Sequence, residues 1–151
     1  DGKNLIVTLR NPNGTGMLNQ NTGKIENCGV EGEIAYRIDP HWSVEANYSY
    51  LHMENPVVGA PEHKLYAGAQ YTHKRWTVST GVQYIDNLYT TVGDNPQTEE
   101  FVLWNLNASF RVNRWLDVWA RGENLLVQRY EINAGYPMPR ATVMAGVNLN
   151  F

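Results

Sequence analysis

The stretch Ala141-Thr-Val-Met-Ala-Gly-Val-Asn-Leu-Asn-Phe151 decides the fold. Ala141, Val143, Ala145, Val147, Leu149 and Phe151 fall on one face, and Thr142, Met144, Gly146, Asn148 and Asn150 on the other. Successive side chains of a strand point to opposite faces, so period-two alternation predicts a strand here. About ten residues suit a tilted strand that crosses a bilayer core.

Seven further alternating runs lie upstream: 3–10, 30–38, 42–51, 63–73, 76–85, 101–112 and 116–124. The run from Trp42 puts Trp42, Val44, Ala46, Tyr48 and Tyr50 together, opposed by Ser43, Glu45, Asn47 and Ser49. From Val30 onward every Asp, Glu, Lys and Arg in these runs lies on the polar face. An Arg or Lys at the middle of a lipid-facing strand costs about 2–4 kcal/mol, so a bilayer enforces that exclusion. Apolar-face aromatics gather near strand ends: Tyr36, Trp42, Tyr71, Trp76, Phe110 and Phe151 at one level, Tyr48, Tyr50 and Tyr84 at the other. Two such girdles mark a membrane barrel.

The connections alternate too. Short turns fall at 39–41, 74–75 and 113–114; long polar loops fall at 11–27, 52–62, 87–100 and 125–140. This is the asymmetry of outer-membrane barrels, and it puts the carboxyl terminus on the short-turn, periplasmic side. A soluble up-and-down barrel or sandwich alternates as well, with its apolar face inward. The girdles, the loop asymmetry and Phe151 favour lipid.

Composition agrees. In 151 residues there are nine tyrosines and five tryptophans against three phenylalanines, and aromatics with a polar tip suit membrane interfaces. A formal charge of −3 offers no basic stripe for nucleic acid. Cys28 is alone, which excludes a disulfide framework and a cysteine zinc site. The expected fold is an all-β, antiparallel transmembrane β-barrel with about eight strands present.

The segment Arg121-Gly-Glu-Asn-Leu-Leu, then Tyr130, then Gly135-Tyr-Pro-Met-Pro-Arg140 and a strand closing on Phe151, resembles the carboxyl-terminal region of TonB-dependent outer-membrane receptors. Cys28-Gly-Val-Glu-Gly-Glu with Trp42-Ser-Val-Glu-Ala-Asn-Tyr-Ser-Tyr is similar to a hairpin those receptors carry upstream, and Pro61-Glu-His63 to their entry into the next strand. The resemblance implies a 22-stranded barrel filled by a plug domain, with residues 1–151 as the carboxyl-terminal barrel portion and the plug absent from this chain. It further implies a bacterial outer-membrane location and uptake of a scarce nutrient, such as an iron–siderophore, haem or cobalamin. TonB would act through a plug segment not in this chain. Outer-membrane lipid, the barrel-assembly machinery and a metal-chelate or cofactor-like ligand are the implied partners, with Phe151 as the assembly signal.

Candidate ligand residues lie at the long-loop end: His52, Met53, Tyr89, Tyr130 and Tyr136, whose rings and soft atoms could meet a flat or apolar ligand. His41 and His73 fall at tight turns, a solvated setting, and His63 in the strand entry. No second ligand lies at useful spacing, so no metal site is expected, and no cofactor. Glu31 and Glu33 share a face, yet barrel interiors are polar and their charges pair across strands, so no catalytic pair is expected. Two other classes stay open: a small stand-alone eight-stranded outer-membrane protein with an adhesive or structural role, and a lipid-modifying barrel enzyme, for which no Ser/His pair stands at a recognisable spacing.

Overall fold

A computed structural model describes residues 2–3, 6–10, 17–21, 24–25 and 27–150, with side chains from residue 27 onward. It is all strand and loop. In chain order the strands are β1 (Gly2–Lys3), β2 (Ile6–Arg10), β3 (Met17–Asn21), β4 (Lys24–Ile25), β5 (Asn27–Arg37), β6 (Trp42–Met53), β7 (Pro61–His73), β8 (Trp76–Thr91), β9 (Gln97–Asn113), β10 (Leu116–Glu123), β11 (Glu131–Asn133), β12 (Tyr136–Pro137) and β13 (Thr142–Leu149).

Seven of them form one antiparallel sheet in the order β13-β10-β9-β8-β7-β6-β5. The order is a meander, which the short turns dictate, because antiparallel neighbours need only a tight connection. Among the described residues β5 and β13 each pair on one side only, so the sheet is open, an arc rather than a closed barrel. The run at 3–10 takes another place. Its part Ile6–Arg10 pairs with Met17–Asn21 in a separate hairpin, and that partner strand lies within a stretch expected to be loop.

The register carries the alternation across the sheet. Trp42 faces Tyr71, Ala46 faces Ala67, Ala67 faces Val82, and Val82 faces Trp104, so one face stays apolar from strand to strand. It is also open: Ile34, Trp76, Val82, Val143 and Val147 are all exposed. The other face carries Asp117 opposite Arg111, with Arg111 Nε 3.3 Å from Asp117 Oδ1, and an ion pair of 2.8 Å between Arg121 and Glu123.

Two aromatic rings lie flat on the polar face, each filling the space of a missing side chain. A Cβ at Gly81 would stand 2.7 Å from the Tyr66 hydroxyl, and one at Gly146 would stand 2.7 Å from the Trp119 ring. Glycine there lets the ring cover a neighbouring strand and pins the register.

At the short-turn end, the Asp39 carboxylate accepts the amides of His41 and Trp42 at 2.7 and 2.8 Å. These bonds hold its pKa below the usual carboxylate value. His41 is exposed, as a turn residue should be, and its Nδ1 bonds the Thr72 carbonyl at 2.9 Å. His73 departs from the solvated setting expected of it. Its ring meets His41 edge-on at 4.7 Å, which leaves its Nδ1 enclosed and without a partner among the described residues.

The candidate ligand-binding end

The long-loop end is built differently from the rest of the sheet. β8 and β9, at 16 and 17 residues, extend well past the nine to eleven that cross a bilayer. The connection between them is therefore only residues 92–96, shorter than the loop expected at 87–100. A β-bulge makes the extension useful. Ile85 pairs with Phe101 but Leu88 with Glu99, so β8 holds one extra residue, and Asn87 takes φ 51. Asparagine tolerates that left-handed backbone, and the bulge turns Leu88 onto the same face as Ile85.

The consequence is a small apolar core on the otherwise polar face. Ile85, Leu88 and Phe101 are about 95% buried, with Leu103 and Tyr130 packed against them. Tyr130 stacks on Phe101 at 4.1 Å between ring centroids, which brings the last loop back over β8 and β9. Its hydroxyl is pushed up in pKa, first by burial and then by the nearby Glu123 carboxylate.

Asn124 closes that loop. It is 5% exposed at φ 49. Its Nδ2 donates to the carbonyls of Gln128 at 2.9 Å and Pro139 at 3.2 Å, and its Oδ1 accepts the Gln128 amide at 2.9 Å. One side chain thus ties together both ends of a fifteen-residue excursion. The amide of Asn124 donates to Asn105 Oδ1 at 3.0 Å, anchoring the staple to β9. The turn forces Val127, a β-branched residue, to φ 56, a conformation that costs on the order of 1–3 kcal/mol.

The neighbouring loops join the same body. Glu62 accepts Asn87 Nδ2 at 3.1 Å and the Tyr89 hydroxyl at 3.2 Å. Desolvation, then the Glu62 charge, raises the Tyr89 pKa. The Gly59 amide donates to the Tyr89 carbonyl at 2.8 Å, and the Ala134 amide to the Thr90 carbonyl at 3.2 Å.

Of the five candidate residues, three come together on these tied segments and two lie elsewhere. Tyr89 and Tyr130 are half-buried and engaged as described, while Tyr136, in the β11–β12 hairpin, is 71% exposed. His52 is exposed on β6 opposite Cys28, and Met53 is buried beside it. Phe151 lies outside the described residues. Of those five only Tyr130 lines the cleft of the last loop, about 320 Å³, together with Glu99, Arg129, Glu131, Met138 and Arg140. No alternation marks Arg129, Met138 and Arg140, which sit in irregular chain. Among the described residues no three His, Cys, Asp or Glu side chains gather as a metal site.

Residues 1–125 match the family described as TonB dependent receptor-like, beta-barrel. This chain belongs to that family. Several solved structures share its fold. A copper transporter, OprC, superposes with a TM-score of 0.77 at 17% identity over 97% of this chain. The ferric-catecholate import receptor Fiu of E. coli K12 gives 0.69 at 27% identity over 85%, and P. aeruginosa FpvA, solved with a pyoverdine–iron complex, 0.72 at 20% over 99%. The last likeness extends through the segment after residue 125, beyond the family match. This chain spans between 21 and 27% of the length of those three proteins.

Proposed function

We propose that this chain supplies the carboxyl-terminal wall and part of the outer mouth of a TonB-dependent receptor that imports a scarce metal chelate or cofactor-like nutrient across the bacterial outer membrane. The observation that carries the reading is the family match over residues 1–125, joined to a sheet whose apolar face is open along its whole width. In this reading the apolar face meets lipid, the polar face lines the interior against a plug supplied by the rest of the protein, and Phe151 is read by the assembly machinery. The activity is capture and energised passage rather than bond-making chemistry. An iron–siderophore is the favoured cargo, because two of the structural relatives carry ferric chelates by name; haem, cobalamin and copper remain in the test set.

Ligand capture falls to the tied loops. Tyr136 is the most exposed tyrosine there, and Arg129 and Arg140 flank Tyr130 in the cleft, a combination suited to an anionic, aromatic chelate. His52 and Met53, on β6 and away from this cleft, are the remaining candidates. The test uses the intact receptor in cells with and without TonB, offered a ferric catecholate, ferric pyoverdine, haem, cobalamin and copper(II) in turn. One of these should accumulate only when TonB is present. Accumulation that persists without TonB, or recovery of the receptor in the soluble fraction, overturns the reading.

A further inference from the structure

We infer that Asn124 is a positioning residue for a paired-arginine anion clamp: it holds Arg129 and Arg140 together in the last-loop cleft, which thereby selects multiply anionic chelates over neutral ones. The inference rests on the capture reading above. It adds the residue that builds the clamp and the charge class the clamp takes.

The two carbonyls that Asn124 Nδ2 holds, at 2.9 and 3.2 Å, belong to Gln128 and Pro139. Each is the residue immediately before one of the arginines. A carbonyl and the amide that follows it form one rigid planar unit. One buried side chain therefore fixes the peptide planes that lead into Arg129 and into Arg140. The frame is referred to the sheet, because the Asn124 amide donates to Asn105 Oδ1 on β9 at 3.0 Å. Between the arginines the loop runs back along itself. Glu131 pairs with Pro137, and the Met138 amide donates to the Tyr130 carbonyl at 3.0 Å.

Both arginines are exposed, line the one cleft of about 320 Å³, and take part in neither ion pair found among the described residues. Each guanidinium offers five N–H donors in a planar fork, and paired oxyanion oxygens take such donors two at a time. Two carboxylates share the cleft. Glu131 is engaged in its own turn, where Oε2 accepts the Gly135 amide at 2.7 Å. Glu99, on β9, opposes an anion from the strand side. On a loose loop two like charges drift apart, and bringing them together would count against binding. A frame closed before the ligand arrives removes that ordering penalty.

The test measures binding to the intact receptor in neutral detergent at low salt, by equilibrium dialysis. Its probes are two iron chelates of like size, an anionic ferric tris(catecholate) and a neutral ferric tris(hydroxamate). Hydrogen bonds to charged groups support a wild-type preference of about tenfold for the anionic chelate. Asn124→Gly keeps a backbone free to take the left-handed turn and deletes the three side-chain bonds. It should weaken the anionic chelate as far as Arg129→Gln/Arg140→Gln does and leave the neutral one in place. Combining all three substitutions should weaken the anionic chelate no further. Glu99→Gln should act in the opposite sense, tightening the anionic chelate by about threefold and leaving the neutral one unchanged.

Loss of both chelates together in Asn124→Gly, or additive losses in the combined variant, overturns the positioning role. Equal binding of the two chelates by wild type overturns the clamp. So does a receptor that binds neither chelate yet imports another cargo with TonB. A receptor that imports none of the offered cargoes with TonB instead sinks the capture reading itself, so the two failures are distinguishable.

Discussion

The middle of the sheet and its long-loop end hold the same strands by opposite means. In the middle, order comes from repetition: each residue on the apolar face has an apolar cross-strand partner, and no single contact matters much. At the loop end, order comes from a few singular contacts. The Ile85–Leu88–Phe101 core, the Tyr130 stack, the Asn124 staple and the Glu62 bonds each occur once. A repeated pattern tolerates substitution within its class and fails when the class changes. A singular contact fails when the one group that makes it is removed.

The largest test changes class in the middle. Val82 and Gln83 are adjacent on β8, one on each face. Val82→Arg places a cation on the apolar face near mid-sheet and should cost about 2–4 kcal/mol of insertion into lipid, whereas Gln83→Arg, on the polar face, should cost little. Folding of the intact receptor into vesicles, followed by the heat-dependent mobility shift of barrels, measures both. Equal losses would mean that the two faces do not meet different solvents.

That contrast also explains which parts of the molecule are legible in its amino-acid sequence. Six strand runs from Val30 to Asn124, and the last from Ala141, are legible because period-two alternation is a local property that the sheet simply preserves. The 3–10 run alternates just as well and yet pairs in its own hairpin, because alternation specifies a strand and not its neighbour. The ligand end is legible only in part. Tyr130 is visible as an aromatic in a loop, but its partner Phe101 sits on the polar parity of β9, where an apolar residue looks incidental. Asn87 and the bulge it allows fall in the stretch 87–100, which reads as loop, so the extension of β8 past residue 85 is hidden. Arg129 and Arg140 become neighbours of one cleft only once Asn124 has closed the loop between them.

The Asn124 staple sharpens the comparison at intermediate size. Asn124→Ala deletes three side-chain hydrogen bonds in a buried setting and leaves the Gln128 amide without that acceptor. It also puts alanine at φ 49, where asparagine is better tolerated. About 2–3 kcal/mol of local stability should go, read as faster hydrogen exchange across 125–140. Exchange in the central strands should stay as it is. If β8 and β9 exchange faster at mid-sheet as well, the two regions are one cooperative unit and the comparison breaks.

The smallest effect is set by pH. Tyr130 is neutral in the folded loop, and burial against Phe101 raises its pKa above the ordinary value of 10.0. The unfolded or opened loop ionises first. The contribution of this tyrosine is therefore complete below about pH 10, and it is lost as pH climbs from there through the raised value. Hydrogen exchange in the last loop, corrected for its intrinsic pH dependence, should quicken over that alkaline window in the wild type. Tyr130→Phe keeps the stack and removes the proton, so its loop should show no such step, while the apolar middle of the sheet is flat in both proteins. An alkaline step of equal size in Tyr130→Phe would assign the transition to other groups, and Tyr89, with its own pKa raised beside Glu62, is the next to substitute.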